Sequence, residues 1–342
     1  MNGYRLAILG ATGLVGQEML RLLIQRHFPI SSLKLLASDR SAGTMVALGP
    51  RNYQVELATP DSFCGVDLVL SSAGEQISRE LVPVAVKAGA VVIDNTAEFR
   101  MLATVPLCIP EINASAARGH RGIIANPNCS AAIVLVALAP LQALGQLQRI
   151  VVSTYQSVAG AGKEAVQELE SQTRAQITDQ PLSSTVFPKP IAFNLLPAIG
   201  SFRADGYTSE EVKMTSEMRK ILDLPELRVS CTCVRVPIKV GHSAAVNVEF
   251  DRPVELSAVR ACLTRAPGIH VMDEPADLPT PMDCAGRDEV LVGRIRGDLS
   301  HPNGLNFWVC GDNLRKGAAL NAIQIAEVLL QDGLLKSPGA IS

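Results

Sequence analysis

The sequence predicts an α/β protein in two parts: a doubly wound parallel sheet, then a second, more antiparallel α+β domain. Three observations carry this. The chain opens on a buried strand, Tyr4 to Leu9, a glycine-rich turn, Gly10-Ala11-Thr12-Gly13-Leu14-Val15-Gly16, and a helical pattern from Gln17 to Arg26. Strand-like and helix-like segments then alternate, as parallel βαβ units require. Past residue 149 several strand-like runs follow with few helices between them, which suits a more antiparallel sheet. At 342 residues the chain exceeds one ordinary core, so two domains are expected.

The opening unit is the start of a Rossmann-type dinucleotide fold, with glycines that let the backbone approach a pyrophosphate and a helix N-terminus that supplies the field. Strand two, Leu33 to Ala37, ends at Ser38-Asp39-Arg40-Ser41. Asp39 can hold a ribose hydroxyl, which favours NAD. Arg40, with the hydroxyls of Ser38 and Ser41, can hold a 2′-phosphate, which favours NADP, and these three groups outweigh one carboxylate. Further βα units are Val66 to Ser71, Ile77 to Lys87 and Val91 to Asp94. The turn after Asp94 carries Arg100, either a solvated charge or a ligand at the carboxyl end of a strand.

The short strand Gly122 to Ala125 runs into Asn126-Pro127-Asn128-Cys129-Ser130, and an apolar helix, Ala131 to Ala139, follows. Asn128 is a good N-cap, which puts Cys129 in the first turn, beside unpaired amides and the positive end of the dipole. There a thiol's pKa falls, and the amides can stabilise an oxyanion when the sulfur attacks a carbonyl. A buried structural cysteine is the alternative.

The next strand, Arg149 to Gln156, leads to a second glycine-rich turn and a helix from Lys163; residues 178 to 207 read as irregular. Thr208 and Glu211 form a capping box, and on that helix Glu210 and Lys213 share a face, as an exposed ion pair or as part of a site. Val229 to Ile238 is a strand carrying Arg235; His242 sits in a turn before strand Ala244 to Phe250, structural or functional. Leu256 to Arg265 is a helix, Val290 to Arg296 and Leu305 to Cys310 are strands, and Ala318 to Leu330 is an amphipathic helix.

Net charge −2 gives no electrostatic footprint for nucleic acid, and no apolar run reaches membrane-spanning length. The eight cysteines are scattered, with no metal-ligand spacing, and no targeting segment precedes the first strand; a reducing cytoplasm is the expected setting.

The ordered set GATGLVG, NPNCS, STYQSVAGAG, E-E-x-K-M at Glu210 to Met214, R-V-P-x-x-x-G-H-S at Arg235 to Ser243 and DNLRKGAALNA near the end resembles the bacterial aspartate-semialdehyde dehydrogenases over nearly the whole chain. The related N-acetyl-glutamyl-phosphate reductases usually have a glycine where this chain has Asn128. A catalytically silent nucleotide-binding relative would have lost Cys129 or His242. The resemblance implies reversible conversion of L-4-aspartyl phosphate and NADPH to L-aspartate 4-semialdehyde, phosphate and NADP, feeding lysine, threonine, methionine and diaminopimelate synthesis. It implies Cys129 as the residue forming the acyl-thioester and His242 as general acid/base. Gln156, Arg235, Glu210 and Asn128 would bind substrate, and Arg100 and Lys213 phosphate. Gly10, Thr12, Gly13, Leu14, Val15, Ser38, Arg40, Ser41, Ala159, Gly160 and Asn313 would line NADP. It further implies an NADP-binding domain over 1–130 completed by 313–342, a catalytic and dimerisation domain over 131–312, and a homodimer, with a dimer of dimers as the larger assembly.

Overall fold

The computed structural model describes residues 3–49 and 51–335, which form two compact units, 3–127 with 318–335, and 128–317. The sequence suggested divisions at 130/131 and 312/313; they fall at 127/128 and 317/318. The shift has a local cause, since residue 128 caps the helix that starts at 129 and travels with it. Residues 336–342 of the expected closing segment lie outside the described residues.

The first unit begins with β1 (Tyr4–Leu9), α1 (Leu14–Gln25) and β2 (Ile30–Ala37). An unexpected hairpin follows, β3 (Met45–Leu48) and β4 (Arg51–Leu57). Its strands are short and mostly exposed, so their polar residues hid the strand pattern. Then come β5 (Leu68–Ser71), α2 (Glu75–Lys87), β6 (Val91–Asp94), the short α3 (Pro110–Asn113) and β7 (Ile123–Ala125). The sheet order is β3-β4-β2-β1-β5-β6-β7, parallel throughout except β3 against β4. Without the edge strand β3 this is the doubly wound order, and the strand order reverses between β1 and β5, where such sheets bind ligands.

The second unit comprises α4 (Cys129–Leu138), β8 (Leu147–Gln156), α5 (Lys163–Ile177), α6 (Ser209–Leu222), β9 (Arg228–Arg235), β10 (His242–Phe250), α7 (Leu256–Arg265), β11 (Ile269–Val271), α8 (Pro281–Cys284), β12 (Val290–Gly297) and β13 (Gly304–Gly311). Its sheet runs β11-β12-β13-β10-β8-β9, mixed rather than purely antiparallel, since β8 pairs with β9 and β11 with β12 in parallel. The expected strand Val229 to Ile238 stops at Arg235, because Pro237 has no N–H to continue a ladder. The apolar α4 is buried along its length, over β10 and β13.

The chain returns to the first unit through a π-turn, Arg315–Ala319, and α9 (Leu320–Gln331). The inner face of α9 (Leu320, Ile323, Leu329) shares a core with Met19, Leu22 and Leu23 of α1. Arg26 grips Glu327 with two hydrogen bonds of 2.7 and 2.8 Å. Among the described residues no helix is long and apolar enough to cross a membrane.

Candidate active site

In the first unit the glycine turn divides its work among its three glycines. Gly10 has φ +89°, and a Cβ there would lie 2.8 Å from the Ser72 carbonyl carbon. A Cβ on Gly16 would lie 2.3 Å from the Gly10 carbonyl oxygen, so this glycine lets α1 pack on β1. A Cβ on Gly13 would meet nothing closer than 3.5 Å, yet Gly13 is the N-cap of α1 and no side chain caps its first amides. Packing requires the first and third glycines; the second, exposed, leaves the helix start open to an anion. The residues fit a dinucleotide pyrophosphate.

Thr12 Oγ1 donates to Ser41 Oγ at 3.2 Å and so joins this turn to the loop after β2. Ser38, Asp39 and Arg40 are exposed there, and Asp39 Oδ1 accepts the Arg40 amide at 2.9 Å. Leu14 and Val15 follow in the first turn of α1, half-buried. Ser72 at the end of β5 was not expected in the site. Its buried hydroxyl has no hydrogen-bond partner among the described residues.

Arg100 is no solvated charge. It is buried, with Nε donating to Asn126 O at 2.8 Å and Nη2 to Asn95 O at 2.7 Å, so it ties the turns after β6 and β7 together.

In the second unit the strand order gathers the other candidates. Gln156 and Arg235 end the parallel neighbours β8 and β9 and pair in register. His242 begins β10, which runs antiparallel to β8 and β13, so it lies at the same sheet end and pairs with Gly311. Asn313 follows two residues later.

Cys129 opens α4 as expected. Asn128 caps it, its Oδ1 accepting the Ser130 and Ala131 amides at 3.0 and 3.1 Å. These two amides, which the sequence suggested for an oxyanion, are therefore engaged. The Asn128 amide donates to the buried carboxylate of Glu217 at 2.5 Å, and Asn128 Nδ2 to Glu210 Oε1 at 2.8 Å. Gln156 Nε2 donates to the same Glu210 oxygen at 3.3 Å. Lys213 is half-buried three residues beyond Glu210 on α6. Gly317 presses on the nucleophile: a Cβ there would stand 2.8 Å from Cys129 Cβ.

Arg235 is buried and donates from Nη1 to Ser157 O at 2.7 Å; among the described residues no carboxylate pairs with it. Burial holds its pKa below the usual arginine value, opposed by Cys129 and Glu210. His242 is buried, and Nδ1 accepts the Ser157 amide at 3.0 Å, with Ser157 Oγ at 3.1 Å. Its Nε2 has no partner among the described residues. Desolvation, and then the neighbouring Arg235 cation, push its pKa down to about 3, so the ring is neutral. Gly160 lies between these two side chains: a Cβ would be 3.0 Å from Arg235 Nη1 and 3.2 Å from His242 Nε2. Ala159, beside it, is buried. Asn313, buried, accepts Ser157 Oγ–H at 3.0 Å and the Gly241 amide at 2.9 Å on Oδ1.

Sequence reasoning missed Ser157, Glu217 and Gly317 as parts of this site. Ser157 stood in a motif but showed no sign that it joins Arg235 to His242. By contrast Cys231 and Cys233 are poor nucleophiles, since burial pushes the Cys231 thiol up to about 12 and raises Cys233 as well. Among the described residues no group of three metal-ligating side chains could hold an ion.

Known proteins resemble this chain over nearly its whole length. Residues 5–120 match the family model of the semialdehyde dehydrogenase NAD binding domain, and residues 138–316 that of the semialdehyde dehydrogenase dimerisation domain. An aspartate-semialdehyde dehydrogenase of Synechocystis is 48% identical over 97% of this chain and 98% of its own. The crystal structure of aspartate semialdehyde dehydrogenase II from Vibrio cholerae, complexed with ASA, superposes with a TM-score of 0.95 at 44% identity, covering 97% of this chain and 99% of that one. The Candida albicans enzyme, solved with NADP, gives 0.77 at 26% identity over 97% and 99%. The chain belongs to the aspartate-semialdehyde dehydrogenase family, which uses a nicotinamide cofactor.

Proposed function

We propose that the protein catalyses the reversible, phosphate-dependent interconversion of L-aspartate 4-semialdehyde and L-4-aspartyl phosphate with NADP, in amino-acid biosynthesis. One observation supports this beyond kinship: a buried arginine with no carboxylate paired to it among the described residues stands in the same site as a helix-start cysteine. A buried cation is costly unless an anion joins it, and the substrate α-carboxylate is such an anion.

In the oxidative direction the Cys129 thiolate attacks the aldehyde carbon and forms a C–S bond. Arg235 binds the α-carboxylate, Glu210 the ammonium group, and Gln156 orients the acyl chain. His242 serves the hemithioacetal oxygen. A bound nicotinamide cofactor would supply the hydride acceptor, and Cys129 is then left acylated. A phosphate oxygen, held by Arg100 and Lys213, then attacks the thioester carbon; the C–S bond breaks and the thiolate returns. Asn128, whose side chain bonds Ser130, Ala131 and Glu210, would hold the helix start and contact the substrate beside Glu210.

Gly10, Thr12, Gly13, Leu14 and Val15 would hold the pyrophosphate, and Ser38, Arg40 and Ser41 the 2′-phosphate. The Asp39 carboxylate accepts the Arg40 amide, which supports NADP over NAD. A charge-assisted contact from Arg40 is worth about 1.5–3 kcal/mol, one to two decades of preference. A homodimer is supported by exposed apolar side chains, among them Ile177, Phe193 and Phe202. A reducing cytoplasm suits eight cysteines of which none is in a disulfide.

The test is phosphate-dependent NADP reduction by purified protein, with aspartate semialdehyde and N-acetyl-glutamate semialdehyde compared. Rapid turnover of the first alone is expected. Preference for the acetylated substrate, or turnover indifferent to phosphate, contradicts the reading. Arg40→Ala should erase the NADP preference while leaving NAD kinetics nearly unchanged.

A further inference from the structure

We infer that Asn321 is a positioning residue for Arg100: through the Asn126 and Asn95 side chains it fixes the guanidinium that the proposed function gives to phosphate. The inference rests on that function and supplies the frame of its anion clamp.

The ladder between β6 and β7 ends where Asp94 stands opposite Ala125. The carbonyls that hold Arg100 belong to the next residue on each strand, Nε donating to Asn126 O at 2.8 Å and Nη2 to Asn95 O at 2.7 Å. Nε–H and Nη2–H form one edge of a planar, rigid group, so the separation of those two oxygens sets the direction of the whole guanidinium. The Asn95 amide donates to Ser71 O at 2.9 Å and the Asn126 amide to Asp94 O at 2.8 Å. Among the described residues no main-chain bond joins Asn95 to Asn126. Their side chains do, Asn126 Nδ2 donating to Asn95 Oδ1 at 2.8 Å.

Asn321, on α9, supplies the other end. Its Nδ2 donates to Asn126 Oδ1 at 2.6 Å and to Cys108 O at 2.9 Å. The direction of this chain is forced by the backbone carbonyls on which it ends, since a carbonyl only accepts. Ser71 O takes Asn95 Nδ2 at 2.9 Å, so Asn95 Oδ1 faces Asn126. Ala318 O takes the second Asn126 hydrogen at 3.2 Å, which turns Asn126 Oδ1 to Asn321. Three amides thus run one way, from α9 past the end of β7 to the end of β6. Asn126 and Asn321 are fully buried, where an unmade bond is costly and such a network holds as a unit. The neighbouring inner-face residues of α9, Leu320 and Ile323, are apolar. An amide beside them carries a desolvation cost that the frame around Arg100 explains.

A paired contact from arginine to phosphate depends on the plane and direction of the fork. Without Asn321 the link between the two carbonyls loosens; the fork keeps its charge and loses its aim. The loss should therefore fall on phosphate and spare the semialdehyde.

The test uses the intact protein with inorganic phosphate. Arg100→Gln sets the scale, with KM for phosphate expected to rise about ten- to a hundredfold. Asn321→Leu should raise KM for phosphate about tenfold, while kcat and KM for aspartate semialdehyde change less than about threefold. In the double variant KM for phosphate should equal that of Arg100→Gln alone, because Asn321 acts through Arg100. Effects that multiply would overturn the inference. So would a lowered melting temperature with phosphate KM unchanged, which would leave Asn321 a stability residue only. If Asn321→Leu does not fold, Asn321→Ser, smaller and with one donor, is read the same way. Broadening of the inorganic phosphate ³¹P signal measures the affinity without turnover: weaker binding than in wild type supports the inference, and equal binding overturns it. An unchanged phosphate KM in Arg100→Gln overturns it at its first step. Failure of the wild type to turn over aspartate semialdehyde would overturn the proposed function, while the ³¹P signal still decides whether Asn321 acts on Arg100.

Discussion

Two helices in this chain begin at a functional turn, and they begin differently. α1 starts at Gly13, where no side chain caps the first amides. α4 starts at Asn128, whose side chain takes the amides of the second and third residues. An open start leaves donors for a ligand that arrives from outside, here an anion. A closed start gives up those donors and gains a rigid frame, which suits a residue of the chain itself that must be aimed. The dipole acts at both, but only at the closed start does it act on a side chain already in place, Cys129.

The largest effect expected concerns the closed start. Cys129→Ser should fold and bind NADP yet lose at least about three orders of magnitude in turnover, because a serine hydroxyl there stays protonated. Near-normal steady-state rates would remove the reason for aiming that position. Arg235→Lys keeps the charge and loses the planar fork, so KM for the semialdehyde should rise about ten- to a hundredfold and KM for phosphate far less. Equal increases would show that Arg235 does not single out the substrate carboxylate. At the open start, Gly13→Ala has room to fold, as its Cβ meets only the Gly10 oxygen at 3.5 Å. Its melting temperature should barely change, while NADP affinity falls about tenfold by fluorescence titration. An unchanged affinity would mean that no ligand approaches there. The smallest effect is on the cap: Asn128→Ala should lower stability by about 1–2 kcal/mol in urea unfolding. No loss would show that the closed start is not held by its own side chain.

Much of this was legible in the sequence because it is local. The β1 strand, the glycine turn, Asn128 as a cap and the Thr208–Glu211 capping box each need only a few neighbouring residues, and the box forms with hydrogen bonds of 2.7 and 3.4 Å. The hairpin over 45–57 escaped because strands with little burial leave little pattern. The link from Ser157 to His242 spans 85 positions, and that from Ser157 to Asn313 spans 156. Only the pairing of β8, β10 and β13 brings those residues to one sheet end, and no spacing rule encodes it. Gly317 escaped for the same reason, its contact with Cys129 being made across the fold of the second unit.

The central claim is that Cys129 carries the acyl group. The direct measurement is to mix the protein with aspartate semialdehyde and NADP without phosphate, quench in acid and map the adduct by peptide mass. The account predicts one aspartyl group on the peptide containing Cys129, removed when phosphate is added before the quench. No adduct on that peptide, or one that phosphate does not discharge, would contradict it.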